Sequence, residues 1–252
     1  MKREDLEQMV KHGELVTGAD LSGQDLRGVA LDGAILDGVT FDGADLTGAT
    51  LKEAVLQKCS LVDAACDEVD ARLATFTESK LDRARFTGAQ LAQATFASST
   101  LVATSFASAK LVIATFVKSS LADADLTTAD LDRARFAEVD VRGMRVAGAN
   151  LAKTTFFRLD LEHVSFADAQ LHMSIFFECA FGAVDMSGLR MSMCQFVDCG
   201  LAGANLAGAD AAQCGFKGSN MEQADFRGAN LERALFAQAK LGKAQFDGAK
   251  LK

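Results

Sequence analysis

From Leu21 to Leu251 every fifth residue belongs to one apolar phase, and the register never breaks. The series opens Leu21, Leu26, Leu31, Leu36, Phe41, Leu46 and closes Phe236, Leu241, Phe246, Leu251. Nearly all its members are Leu or Phe; the exceptions are Cys66, Ala71, Val141, Val146, Met186, Met191, Ala211 and Met221. A helix repeats every 3.6 residues and a strand every two. A five-residue period fits neither. The chain must turn a corner at each step, which makes it a solenoid.

The other phases agree. Two residues before each Leu or Phe stands a small residue, as at Ala34, Ala44, Ala54, Ala124, Ala134 and Ala229. One large and one small inward position in five fill a narrow interior. Most of the 21 Gly fall two residues after the large position, where a corner with positive φ favours them. Pro is absent, as expected where almost every N–H pairs with a neighbouring coil.

Ala19-Asp20-Leu21, Ala44-Asp45-Leu46, Ala124-Asp125-Leu126, Ala149-Asn150-Leu151, Ala204-Asn205-Leu206 and Ala229-Asn230-Leu231 carry a local motif, A(D/N)LXX. In this the chain resembles the pentapeptide-repeat family over nearly its whole length. The resemblance implies an all-β fold: a right-handed, quadrilateral parallel β-helix with four pentapeptides per coil. The sequence carries its own test of coil length. Phe76, Phe96, Phe116, Phe136, Phe156, Phe176, Phe196, Phe216 and Phe236 recur every 20 residues, as one side of a 20-residue coil would stack them. About 12 coils at strand spacing give a rod of roughly 55 Å.

Residues 1–14 are expected to form a cap and 15–252 the β-helix. Leu6, Met9 and Val10 suit a short amphipathic helix covering the open edge of the first coil. The far end stops in register at Leu251-Lys252, and end-to-end pairing, a covering partner or a longer parent chain would each account for it. No apolar run is long enough to span a bilayer. Met1-Lys2-Arg3-Glu4-Asp5 leads into polar sequence, so a cytoplasmic protein without membrane contact is expected.

Catalysis is not expected. Cys59, Cys179, Cys194, Cys199 and Cys214 occupy the small inward position and Cys66 a large one, so all six face inside as small apolar residues. Their spacing is not that of a zinc site. His163 and His172 belong to opposite sides of a coil, and His12 lies outside the repeat. No nucleophile-base pair can be assembled from these. No phosphate-binding glycine loop occurs in a strand-to-helix context. No cofactor, metal, small-molecule substrate or direct nucleic-acid contact is expected.

The resemblance also implies one known activity: DNA mimicry by quinolone-resistance proteins that bind gyrase, a topoisomerase. The net charge of −8 is compatible with that reading. Residues 1–50 hold ten acids against four bases, so most of the charge lies there, and Asp25, Asp32, Asp37, Asp42 and Asp45 mark the acidic surface. DNA carries one charge per ~1.7 Å. A rod nearly neutral over its remaining length copies that poorly.

A second surface is not required by the repeat. The residue after each Phe of the 20-residue column should point outward, yet Ala97, Val117, Ala137, Phe157, Phe177 and Val197 are all apolar. Ile175, Met173 and Met193 adjoin them. Phe157, Phe177, Ile175, Val197, Met173, Met193 and Val117 are therefore the candidate binding residues for a protein partner or a second copy. The opening Arg3-Glu4-Asp5-Leu6-Glu7 and Gly18-Ala19-Asp20-Leu21-Ser22-Gly23 is similar to segments found with bacterial type VI secretion adaptors, which implies a scaffold or accessory role.

Overall fold

The computed structural model describes residues 1–252. One side of each 20-residue coil forms a three-residue strand, from β1 (Leu15–Thr17) to β10 (Gln195–Val197). The ten strands pair in sequence order, all parallel, with a register step of 20 residues. The other three sides stack through isolated parallel bridges, such as Asp20↔Thr40, Asp25↔Asp45 and Ala30↔Thr50. We number the strand side one, and these two, three and four in chain order. The fold is thus the four-sided parallel β-solenoid expected. The sheet itself has ten strands, fewer than the 12 coils expected. Beyond β10 the column continues only as single bridges, Gln195↔Gly215 and Gly215↔Leu235. Gly at a strand position weakens regular pairing.

Inside, the Phe column stacks ring on ring. Phe96, Phe116 and Phe136 lie 4.9 Å apart between centroids, with planes within 8° of parallel. The coil spacing itself sets this distance. A neighbouring Phe series meets the column edge-on, as Phe106 does Phe116 at 6.1 Å and 76°.

The small inward position has a second role that its apolar reading misses. Ser79, Ser99, Ser119, Thr104, Thr154 and Ser174 occupy it, and each hydroxyl donates to a backbone carbonyl 23 residues earlier. Cys194 and Cys214 donate likewise, to the Leu171 and Met191 carbonyls at 2.6 and 2.9 Å. The cysteines thus replace Ser and Thr in kind. All six are free and buried. Burial pushes the Cys59 thiol up to about 11, so it stays protonated and unreactive.

The Asp or Asn of the motif is explained by geometry. Its side chain accepts the N–H two residues on, closing an Asx turn at the corner: Asp20 from Ser22, Asp45 from Thr47, Asn150 from Ala152, Asn205 from Ala207. Such bonds favour the ionised form. Asp25 is drawn from 3.8 to about 2, chiefly by the Arg27 guanidinium; Ser22 lowers Asp20, Thr47 lowers Asp45 and Arg227 lowers Asp225. A carboxylate whose pKa is depressed by folding stabilises the fold fully above 3.8. That contribution is lost as pH falls through the folded value. The melting temperature is therefore expected to hold steady above pH 3.8 and to decline towards pH 2. A thermal melt by circular dichroism checks this; a flat profile through that window contradicts it.

At the N-terminus α1 (Arg3–Lys11) lies against β1. Leu6 is buried, and Met9 and Val10 pack partly on the core. Arg3 donates to the Arg27 carbonyl at 2.9 Å.

One segment departs from the pattern. On side two no bridge joins Asp140 to Asp160, and on side three none joins Ser165 to Asp185, although every other coil step on those sides is bridged. The N–H groups of Val141, Asp160, Phe166 and Asp185 lack the coil-to-coil bonds made elsewhere in their columns. The cause is legible in the small inward position. Here it holds Val139, Met144, Leu159, Val164, Val184 and Leu189, all at most 7% exposed. The regular coils before them carry mostly Ala or Ser in that phase and tolerate Val29, Val39 and Val69 with their bridges intact, so Met144, Leu159 and Leu189 are what sets this segment apart. Extra methylenes in a filled interior push its walls apart. The left-handed corner also shifts, falling on Gly182 (φ 54°) rather than one residue later. Sides one and four stay paired across the same coils, for example Thr155↔Ile175 and Gln170↔Arg190.

Candidate functional site

The strand side gathers the apolar surface. Its outward residues form two columns flanking the buried Phe stack. The first runs Leu15, Ile35, Val55, then Thr75, Thr95 and Thr115, then Arg135, Thr155, Ile175 and Gln195. The second runs Thr77, Ala97, Val117, Ala137, Phe157, Phe177, Val197. The corner that leads into the side adds Leu73, Ile113, Met173 and Met193, exposed by 45, 41, 41 and 39%. Apart from Met1 and Leu251, every large hydrophobic residue that is exposed lies on this flank.

The seven residues expected to form the patch do share it. Phe157 and Phe177 stack at 5.6 Å with planes 17° apart, half-buried side by side. The Arg158 guanidinium lies 4.7 Å from the Phe157 centroid, a cation–π contact at the rim. Ile175, Met173 and Met193 are exposed, and Val197 continues the Phe column half-buried. Val117 belongs to the same column, separated from Phe157 by Ala137. The patch is longer than the seven residues. Leu15, Ile35 and Val55 are exposed by 52, 48 and 40% and extend it to the first coil. Their signal was the residue before each strand centre, which the sequence reading used only at Ile175.

The apolar corner residues take the left-handed conformation common to the coil. Each corner needs a residue with positive φ, and Gly adopts this at no steric cost. Leu73 (63°), Ile113 (61°), Met173 (60°) and Met193 (61°) adopt it instead. For β-branched Ile113 this is an outlier conformation. Polar residues such as Glu53, Lys118, Arg158 and Glu178 adopt the same conformation at other corners, so it belongs to the coil as a whole.

The acidic residues do not gather. Asp25 and Asp45 stand on side three, bridged by Arg27 at 2.5 and 3.7 Å. Asp42 lies on side two, Asp32 on side four and Asp37 on the strand side. Asp32 accepts the Lys52 N–H at 2.9 Å and Asp42 the Val62 N–H at 3.0 Å. Four of the five thus fasten corners or neighbouring coils.

The parted coils leave a cleft of about 420 Å³ on side three, between Ser165, Asp168, Asp185, Ser187 and Arg190. Asp185 is committed to Ser187 and Asn205. No group of three or more His, Cys, Asp or Glu is placed to hold a metal ion. No helix is long and apolar enough to cross a membrane.

Comparison with known proteins agrees with the coil. A family model described as a pentapeptide repeat region matches residues 49–126 and 189–252. A second, pentapeptide repeats in eight copies, matches 17–52 and 109–144. The chain belongs to the pentapeptide-repeat family. Residues 145–188 fall outside all four matched ranges, and this pentapeptide-repeat chain loses its regular pairing over much the same stretch. Among solved structures it is similar to HetL, a pentapeptide repeat protein involved in heterocyst differentiation regulation in the cyanobacterium Nostoc sp. strain PCC 7120. The identity is 20%, over 95% of this chain and 87% of that one, with a TM-score of 0.32. It is similar also to trypsin-treated QnrB1, a plasmid-mediated fluoroquinolone resistance protein, at 17% identity over 71% and 91%, TM-score 0.44. Rfr23 from the cyanobacterium Cyanothece 51142 shares 16% over 59% and 94%, TM-score 0.26. None of these likenesses extends to function. No curated relative matches the sequence.

Proposed function

We propose that this pentapeptide-repeat chain is a rigid, non-enzymatic interaction module that binds a protein partner through its strand side. A scaffold or accessory role, as in type VI secretion, is one setting for such a module. The observation that carries the reading is the segregation of exposed large hydrophobics onto one flank. Monomeric surfaces seldom carry a contiguous apolar patch of this extent unless it is used. The opposite choice, an acidic DNA-like surface, is supported less. Its carboxylates are spread over four sides, and most have structural partners.

The test is affinity capture from a bacterial lysate with three baits of confirmed β-fold: wild type, Phe157→Asp/Phe177→Asp, and Asp32→Lys/Asp37→Lys/Asp42→Lys. The reading expects a partner retained by wild type and the lysine variant and lost by the Phe variant. Gyrase subunits held by the Phe variant and lost by the lysine variant would overturn it in favour of DNA mimicry.

A further inference from the structure

The strand side is nearly free of charge. Among its outward residues from Leu15 to Val197 only Asp37 and Arg135 are ionised. Its trailing edge, by contrast, alternates in sign: Lys118, Glu138, Arg158, Glu178, one per coil at left-handed corners. Arg158 is held between Glu178 at 2.6 Å and Glu138 at 4.0 Å. Read in the opposite direction, a series plus-minus-plus-minus becomes minus-plus-minus-plus. The edge is therefore complementary to its own reverse.

We propose that a second copy of this chain covers the strand side, antiparallel, about a two-fold axis midway between the coils of Ala137 and Phe157. The proposal rests on the reading of the strand side as the binding face. An axis in the interface and perpendicular to the rod reverses coil order while keeping each outward column opposite its own copy. Phe157 then meets Ala137, Phe177 meets Val117, and Val197 meets Ala97, each larger side chain facing a smaller one. At the trailing edge Arg158 meets Glu138, and Lys118 meets Glu178. At the leading edge Ile113 meets Met173, and Glu53 meets Arg233. At the ends Val55 meets Leu235, exposed by 40 and 68% in the single chain.

Other registers are worse. Centring the axis on the Phe157 coil sets Arg158 against Arg158 and Phe157 against Phe157. Centring it on the Ala137 coil sets Glu138 against Glu138 and Lys118 against Arg158. Moving the axis a full coil towards the C-terminus sets Glu138 against Asp198, and a full coil the other way sets Glu78 against Glu178. Like charges at a rim disfavour a pairing. The chosen register has one direct meeting of this kind, Arg133 with Lys153, where Arg133 is already neutralised by Asp132 at 2.7 Å, and it sets the two Arg135 side chains one coil step apart, each facing Thr155.

The area suffices. The overlap from the Val55 coil to the Leu235 coil is nine steps, about 43 Å long. Taken at about 15 Å wide it covers roughly 650 Å² of each copy, or about 1,300 Å² together, within the range of specific interfaces. Two sheets so packed lie about 10 Å apart.

Sedimentation velocity from ~1 to ~100 μM reads the association directly. The expected result is a monomer-dimer equilibrium, weakened at least ~30-fold by Phe177→Asp. Charge reversal tests the register. Glu53→Arg and Arg233→Glu should each weaken the dimer several-fold, and the two together should restore it. Crosslinking gives a second reading. Ala97 and Val197 lie five coils apart, about 24 Å, too far for a crosslinker of about 10 Å to join within one chain. The native thiols are buried and give no background. A bis-maleimide spanning about 10 Å, the separation of packed sheets, should join Ala97→Cys/Val197→Cys into a covalent dimer, and neither single variant should crosslink. A dimer that crosslinks through either single variant, or not at all, would overturn the register. A wild type that stays monomeric throughout would overturn the proposal, while the capture experiment would still judge the face by itself.

Discussion

Phe116→Ala is expected to destabilise the coil by about 4 kcal/mol, near the upper end for a single truncation. The ring is fully buried and stacked on both faces, against Phe96 and Phe136, with Phe106 at its edge. Each aromatic contact adds about 0.5–1.5 kcal/mol beyond area burial. The stack cannot close over the gap, because the backbone ladder fixes coil spacing. Chemical denaturation measures the effect. The same change at Phe236, where the last coils leave the ring half-buried, should cost less than half as much. Equal losses at the two positions, or less than ~1 kcal/mol at Phe116, would show that the stack is incidental.

The second large effect is in hydrogen exchange. The amides of Val141, Asp160, Phe166 and Asp185 should exchange at least ~100-fold faster than their counterparts one or two coils away, such as Leu121, Ser120, Leu126 and Asn205. Those counterparts all donate to a neighbouring coil, Asn205 to Val184 at 2.9 Å. Replacing Leu159 and Leu189 by Ala should slow exchange at Asp160 and Asp185 by letting the coils close. It should also cost less than the ~2–5 kcal/mol usual for a buried Leu. Uniform protection from 139 to 190 in the wild type would contradict the parted geometry. Stability in a stacked array is a sum of coil and interface terms. A weak interface near the eighth coil therefore divides the rod into two cooperative blocks, and denaturation should resolve them.

The period was enough for a solenoid, because each phase has one physical duty: a large residue inside, a small one inside, a corner, two outward. The four-sided parallel β-helix came from the resemblance to pentapeptide repeats. The candidate surface was legible in part. Phe157 and Phe177 stand out because the residue after a strand centre has no reason to be aromatic. Ile113 and Leu73 do not stand out in the sequence, because the corner phase holds Gly, polar and apolar residues alike, and only their exposure places them on the apolar flank. The acids misled in the other direction. Asp32 and Asp42 look like free surface charge in sequence and prove to be backbone acceptors. The parted coils could have been anticipated: Met144, Leu159 and Leu189 are the only apolar residues of that size in the small inward phase between Ala19 and Ala249. Nothing in the five-residue register flagged them, since the register itself continues through that stretch unbroken.

That register works as an angular coordinate. Five residues advance the chain by one side, a quarter turn, and 20 return it to the same bearing one coil along. Gain or loss of one pentapeptide would leave every later residue with an acceptable partner inside, yet swing everything beyond it through a right angle. Val197 would then face away from Val117, and Glu178 from Glu138. Only insertions of a whole coil lengthen the rod without turning its face. Length in this molecule can drift in small steps, but the direction in which it presents its apolar flank is quantised.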